Sequence, residues 1–176
     1  MRLKDKVIII TGATSGIGKA IAVRAVAEGG KVLIHGIEKD DGQKVVEQLG
    51  KSAALCIADL ADPATPQKIV DSAIEAFGKI DAVVNNAAII ERNNLSQLTP
   101  EAFTKTITVN LQSALFLIKA AFPYLNKSEG CVLNIGSINA YSGESSLLAY
   151  SIGKAGLQTM TRNLANAHGA DKVRFN

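Results

Sequence analysis

Short apolar runs alternate with longer segments of helical spacing along the chain, and this alternation constrains the fold more than any other feature. The runs are nearly continuous in apolar residues, which is typical of strands buried on both faces of a parallel sheet. They span residues 7–10, 32–34, 54–57, 82–84 and 132–135, and a further run at 172–175 predicts the opening of a sixth strand. The helix candidates are residues 17–28, 41–49, 67–77, 100–125 and 148–167. Asp62-Pro63 and Thr99-Pro100 each place a good N-cap residue before a proline at the first helical position, which supports helix starts there. Strands that alternate with helices predict an α/β fold with a parallel sheet.

Composition favours an ordinary globular enzyme-sized domain and excludes several other classes. The chain has 176 residues, 47% of them hydrophobic and 20% charged, without a Pro-rich or Ser-rich linker, so we expect a single domain. The net charge of +3 is scattered rather than gathered in a basic run, which argues against nucleic acid as a partner. No stretch approaches the ~18 apolar residues of a membrane helix, so we expect no membrane span.

The cysteines and histidines predict a reduced protein without a metal. Cys56 and Cys131 both lie within apolar runs, where a thiol behaves as a small buried hydrophobe, and a cytoplasmic location fits this best. His35 and His168 form no ligand spacing with the cysteines, so no metal is predicted.

The turn after the first predicted strand is rich in glycine and opens a helix. Gly12, Gly16 and Gly18 give the spacing G-x-x-x-G-x-G between residues 7–10 and the helix that follows. Glycine allows a tight turn and close backbone approach, and a helix N-terminus offers unpaired N–H groups to an anion. A strand before the motif and a helix after it are the context of a dinucleotide-binding turn, so this segment predicts a pyrophosphate site.

The choice between NAD and NADP is not written plainly in the sequence. A carboxylate that holds the ribose 2′-OH is expected at the end of the second strand, about 20 residues after the turn. Gly36 and Ile37 stand there, whereas Glu38 could bind a 2′-OH and Lys39 could reach a 2′-phosphate, or both could be ordinary solvated charges. The missing carboxylate at Gly36 slightly favours NADP(H).

A tyrosine and a lysine four residues apart are the candidate catalytic pair. Tyr150 and Lys154 share one face of the last predicted helix. A neighbouring ammonium stabilises a phenolate, which would let a tyrosine transfer protons near neutral pH. Ser137 follows the strand at 132–135, at the sheet edge where α/β folds place ligands.

These motifs together resemble a classical short-chain dehydrogenase/reductase. The matching features, in the order of the family, are Thr11-Gly12-x-x-x-Gly16-x-Gly18, Asp59-Leu60, Asn85-Asn86-Ala87-Ala88, Asn110, and Ser137 followed by Tyr150-x-x-x-Lys154. Ala88 departs from the family, which usually has glycine there. The resemblance implies a Rossmann-like, doubly wound parallel sheet in a three-layer αβα domain. It also implies an oxidoreductase that uses NADP or NAD to interconvert a carbonyl and an alcohol.

The resemblance assigns a role to each matching residue. Tyr150 would be the acid/base, Ser137 would orient the substrate oxygen, and Lys154 would hold the nicotinamide ribose. Asn110 would position a water linked to Lys154, and Asp59 would face the adenine. The implied cofactor-binding set is Gly12, Thr14, Ser15, Gly16, Ile17, Gly18, Asp59, Leu60, Asn86, Ala87, Tyr150 and Lys154.

Each role has an alternative that the sequence leaves open. Asp59 could cap a turn, Asn110 could satisfy a kinked helix, and Ser137 could form a turn. The chain could also be a dinucleotide-binding module without turnover. Substrates compatible with the resemblance are 3-oxoacyl-carrier-protein and sugar or polyol compounds. The resemblance further implies a homodimer or homotetramer, and family members continue beyond the sixth strand into a substrate loop and a last strand that residues 1–176 lack.

Overall fold

The computed structural model describes residues 1–176 and contains one six-stranded sheet flanked by helices. The strands are β1 (Val7–Ile10), β2 (Lys31–Gly36), β3 (Ala53–Ile57), β4 (Ala82–Asn85), β5 (Cys131–Asn134) and β6 (Arg174–Phe175). The helices are α1 (Gly16–Ala27), α2 (Lys39–Leu49), α3 (Thr65–Phe77), α4 (Pro100–Ile107), α5 (Ser113–Lys127) and α6 (Leu148–His168).

The sheet is wound in two directions from its middle. Its order is β3-β2-β1-β4-β5-β6, and every neighbouring pair is parallel. The chain therefore moves outward from β1 to β3, returns to the middle at β4 and moves outward the other way. This confirms the predicted Rossmann-like α/β fold, and it places the loops after β1 and β4 side by side at the switch point, where such sheets bind ligands.

The two faces of the sheet are covered unequally. Helices α3, α5 and α6 cover one face with a core of 17 buried residues that reaches from Cys56 in β3 to Phe175 in β6. On the other face α1 and α2 pack mainly on β1, β2 and β3 with a core of 9 residues. A groove of about 720 Å³ beside α1 runs over β4 and β5, where the Leu133 side chain is 41% exposed.

The predicted helix at 100–125 is interrupted, and this matters for the site. Thr99 caps α4 as the sequence predicted, since its hydroxyl accepts from the Ala102 N–H at 3.2 Å. A π-helical turn, Thr108–Gln112, then separates α4 from α5. A π turn widens the helix by one residue and is often found at functional sites.

The sequence misplaced the start of one helix. Asp62 and Pro63 were expected to cap α3, but α3 begins at Thr65. The Asp62 carboxylate instead accepts from the Ala64 N–H at 2.9 Å, which closes a turn before the helix. None of the helices combines the length and apolar character needed to cross a bilayer.

Candidate active site

A cavity of about 630 Å³ opens at the carboxyl ends of the strands, across the switch point between β1 and β4. Most of the predicted cofactor residues line it: Gly12, Thr14, Ser15, Gly16, Ile17, Asp59, Leu60, Asn86, Ala87, Tyr150 and Lys154. Gly18, Asn110 and Ser137 do not line it. Glu38, which the sequence left open as a candidate for the ribose 2′-OH, and Ala88 of the Asn85–Ala88 motif also line it. Residues that sequence reasoning did not assign to the site contribute as well, namely His35, Gly36, Ile37, Ala61, Ile89, Lys105, Val109, Ile135 and Gly136.

The glycine-rich turn is held tightly against the loop after β4. Gly12 has a φ of +63°, and a Cβ there would lie 3.0 Å from the Ala87 Cα. The Asn86 Nδ2 donates to the carbonyl oxygens of Thr11 and Gly12 at 2.9 and 3.1 Å. The Thr11 hydroxyl oxygen in turn accepts from the backbone N–H groups of Asn86 and Ala87, each at 3.0 Å. Asn86 therefore fixes the turn rather than merely lining the cavity.

The start of α1 is built to receive an anion. Ser15 stands at its N-cap without a side-chain cap bond, so the first N–H groups of the helix are not satisfied by that side chain. Gly18 allows α1 to approach the turn, because a Cβ there would overlap the Gly12 carbonyl oxygen. Uncapped N–H groups at a helix N-terminus beside a glycine-lined cradle fit a dinucleotide pyrophosphate.

The far end of the cavity lies beyond β2 and β3. Asp59 lines it, and its Oδ1 accepts from the Ala61 N–H at 2.9 Å. Asp59 therefore caps a turn, which the sequence left open as an alternative, and it also faces the cavity. His35 is 2% exposed, and its Nε2 lies 3.0 Å from the Ala58 carbonyl oxygen. Burial lowers the pKa of His35 to about 4, so the ring is neutral at pH 7.

Tyr150 and Lys154 meet at the other end of the cavity, as their spacing predicted. Tyr150 is 9% exposed, Lys154 is 2% exposed, and the Lys154 Nζ lies 5.8 Å from the centroid of the tyrosine ring. The Nζ donates to the Ile135 carbonyl oxygen at 2.6 Å. An ammonium has three donors, so two remain for a ligand. Burial lowers the pKa of Lys154.

Asn110 and Ser137 lie near this pair but are engaged by backbone groups. The Asn110 side chain, 1% exposed in the π turn, accepts from the Ile89 N–H at 2.8 Å and donates to the Ile89 carbonyl at 2.9 Å. It thus anchors the loop after β4 to the helix, and both of its side-chain polar atoms are in use. The Ser137 Oγ accepts from the Asn139 N–H at 3.2 Å and caps the short turn Ile138–Ala140.

Comparisons with known proteins agree with this geometry. The short chain dehydrogenase family model matches residues 6–176. An uncharacterized oxidoreductase of Thermotoga maritima is 38% identical over the whole chain, which covers 71% of that protein. A meso-2,3-butanediol dehydrogenase of Serratia marcescens is 32% identical, with 100% of this chain and 70% of that protein covered.

Two further matches concern a cofactor. An NADP-dependent (R)-specific alcohol dehydrogenase of Lentilactobacillus kefiri is 36% identical over 93% of this chain and 67% of its own length. A Caenorhabditis elegans short-chain dehydrogenase/reductase of unknown function, solved with cofactor, superposes with a TM-score of 0.95 at 29% identity, over 100% of this chain and 69% of that one. The chain belongs to the short-chain dehydrogenase family of NAD(P)-binding oxidoreductases.

Proposed function

We propose that this oxidoreductase interconverts a carbonyl and a secondary alcohol, with Tyr150 as the group that gives and takes the proton. The observation that carries the proposal is the position of Tyr150 and Lys154, both buried, in the wall of a cavity that also contains the phosphate-binding turn. When bound, the nicotinamide supplies or accepts the hydride at the substrate carbon. The turn and the N-terminus of α1 would hold the pyrophosphate, and the adenosine would extend toward the Asp59 end.

The roles of the protein groups follow from their chemistry. In the direction of reduction the Tyr150 hydroxyl donates its proton to the substrate oxygen as the carbon receives the hydride, so the alcohol leaves neutral and a phenolate remains. The Lys154 ammonium stabilises that phenolate through space and has two donors for ribose hydroxyls. Ser137 would orient the substrate oxygen after its hydroxyl rotates, and Asn110 would support Lys154 by holding the π turn against α6.

We also propose a substrate class and a cofactor. The relatives named for meso-2,3-butanediol and for an alcohol favour a small alcohol or ketone, and 3-oxoacyl or sugar and polyol substrates fit the same chemistry. The cofactor is NAD(H) or NADP(H). The absence of a carboxylate at Gly36 slightly favours NADP(H), whereas the Glu38 carboxylate, which lines the cavity, favours NAD(H).

We further propose that residues 1–176 form one dinucleotide-binding domain that works in a reduced, cytoplasmic setting as a homodimer or homotetramer. Both cysteines are free thiols, which supports the reduced setting.

A Tyr150→Phe variant tests the function. With a panel of small ketones, vicinal diols, aldoses and 3-oxoacyl thioesters, we expect oxidation or reduction of the nicotinamide by the wild type and a loss of at least about 100-fold in the variant, as removal of a general acid costs. Dinucleotide affinity should stay within a few fold. Tyr124→Phe, a substitution on α5, is the matched control and should keep full turnover.

A binding module without turnover is the second candidate. It is favoured by the engagement of Ser137 and Asn110 with backbone groups. Tight dinucleotide binding with no turnover across the panel would support it, and turnover that survives in Tyr150→Phe would refute the role of the tyrosine.

A further inference from the structure

A carboxylate stands at the adenosine end of the cavity, two residues beyond β2. Glu38 lines the cavity, and its Oε2 accepts a hydrogen bond from the Thr14 hydroxyl at 2.8 Å. Thr14 belongs to the phosphate-binding turn and is 3% exposed. The bond therefore ties a side chain at the edge of the site to a buried residue of the turn.

The packing at Gly36 explains why the acid stands at 38. A Cβ on Gly36 would lie 2.5 Å from the Thr14 Cγ2 and 2.8 Å from its Oγ1. The Thr14 side chain thus fills the room that a carboxylate at position 36 would need. The Thr14 hydroxyl also donates to Glu38. Thr14 therefore excludes an acidic side chain at position 36 and holds the carboxylate of Glu38 in place.

The charges around this end of the cavity favour a neutral ribose over a phosphorylated one. Of the lysines and arginines only Lys105 and Lys154 line the cavity, and Lys105 is paired with Glu91 at 3.0 Å. Lys154 lies beside Tyr150 at the opposite end. The hydrogen bond from Thr14 lowers the pKa of Glu38, so its carboxylate is charged at neutral pH.

Lys39 is the one candidate cation close to Glu38 in sequence. It begins α2, is exposed and does not line the cavity. Residues 38–41 read Glu-Lys-Asp-Asp, so the segment that passes the site carries three carboxylates against one ammonium. A 2′-phosphate placed there would meet a net negative charge.

We propose that Glu38, positioned by Thr14, makes this protein select NAD(H) over NADP(H). The carboxylate accepts a hydrogen bond from the ribose 2′-OH and repels a 2′-phosphate. This is opposite to the preference that Gly36 suggests in the sequence alone. The inference rests on the proposed function only in that the cavity must bind a nicotinamide dinucleotide.

Fluorescence titrations of the full chain with NADH and NADPH test this, using wild type, Glu38→Gln, Thr14→Val and Lys39→Gln. We expect the wild type to bind NADH about tenfold more tightly than NADPH, the effect of a carboxylate a few ångströms from a dianion in a largely solvated site. Glu38→Gln should bring the two affinities close together, mainly through tighter NADPH binding. Added salt should narrow the wild-type ratio in the same way, because it screens the repulsion.

Thr14→Val keeps the shape that packs on Gly36 but removes the hydroxyl donor. It should shift the ratio in the same direction as Glu38→Gln and by less, because the carboxylate remains but is no longer held. Lys39→Gln is the matched surface control and should not narrow the ratio.

The outcomes separate this inference from the proposed function. If neither dinucleotide binds the wild type, both fail. If both bind but the wild type prefers NADPH, or the ratio is unchanged in Glu38→Gln, the assignment of Glu38 is wrong while the oxidoreductase function stands. Loss of NADPH binding in Lys39→Gln alone would show that Lys39 reads a 2′-phosphate and would likewise overturn it.

Discussion

Lowering the pH should weaken the fold through one buried histidine, His35. Its Nε2 lies 3.0 Å from the Ala58 carbonyl oxygen, which can only accept, so the Nε2 carries the proton. The Nδ1 is buried and has no hydrogen-bond partner. A second proton would therefore have to sit on Nδ1, as a charged N–H without an acceptor in a site that is 2% exposed.

The size and sign of the effect follow from the pKa. Burial lowers the pKa of His35 from 6.5 to about 4, although the bond to the Ala58 carbonyl raises it in part. Between these values the unfolded chain binds a proton that the folded chain does not, so stability rises with pH. The stability linked to the neutral His35 ring is therefore fully present above about pH 6.5 and is lost as the pH falls toward 4. A difference of two to three pKa units corresponds to about 3 kcal/mol of unfolding free energy.

Urea unfolding followed by far-UV circular dichroism between pH 4.5 and 7.5 measures this. The comparison is with His35→Gln, which keeps a donor near the Ala58 carbonyl but does not titrate. Wild type should be the more stable at pH 7, and the difference should shrink by about 1.4 kcal/mol for each pH unit below 6. His168→Gln is the control, since that ring is 32% exposed and forms a pair with Asp171. A wild-type minus His35→Gln difference that stays constant across the range would refute the reasoning.

Two further substitutions test the glycine-rich turn and the contacts of Asp81 at the start of β1. Gly18→Ala should lower the free energy of unfolding by about 1–3 kcal/mol and weaken dinucleotide binding, because the added Cβ would overlap the Gly12 carbonyl. Gly143→Ala is the control: Gly143 has open space around it, so the same urea assay should show a change of less than about 0.5 kcal/mol. Asp81→Asn should lower the free energy of unfolding by about 1 kcal/mol at pH 7, because the carboxylate accepts hydrogen bonds from the Lys6 ammonium at 2.8 Å and the Val7 N–H at 2.9 Å. The loss is small because Lys6 is half exposed and water screens the ion pair. Burial alone would raise the pKa of Asp81, but the hydrogen bonds from Lys6, Val7 and Lys79 outweigh it and hold the pKa below its usual value of 3.8. In urea titrations the difference from wild type should therefore be constant at higher pH and shrink as the pH falls below that usual value and the acid becomes protonated. A difference that persists there would contradict the charge-based account.

The sheet could be predicted because its signal is local. The runs at β1 and β2 are buried on both faces, so nearly every residue in them is apolar, and all six strands fall within two residues of their predicted bounds. The interruption of the predicted helix at 100–125 entered only as the alternative that Asn110 satisfies a kinked helix, because the π turn depends on a tertiary contact. The Asn110 carboxamide binds both backbone groups of Ile89, a residue on another loop.

The site was predictable where chemistry depends on spacing along one element and not where it depends on packing between elements. Tyr150 and Lys154 are four residues apart on α6, so their shared face follows from helix geometry. Glu38 could not be distinguished from a solvated charge, because the evidence for it is the position of the Thr14 side chain above Gly36. The sequence signal that could have found it is the small residue at the strand end followed by an acid two positions later.

The end of the site that contains Tyr150 and Lys154 is held by the well-covered face of the sheet. Lys154 is fixed by the Ile135 carbonyl just after β5, and the α6 residue Gly153 lies against Asn110, where an added Cβ would be 3.3 Å from the Asn110 Cβ. These contacts lie on elements of the face that α3, α5 and α6 cover with the larger of the two cores. The opposite face of β5 is open at Leu133, so a disturbance of that face would affect the proposed catalytic pair, Tyr150 and Lys154, only through β5 itself. Because β5 is hydrogen-bonded on both sides, to β4 and β6, the position of Ile135 depends on the sheet more than on whatever packs over Leu133.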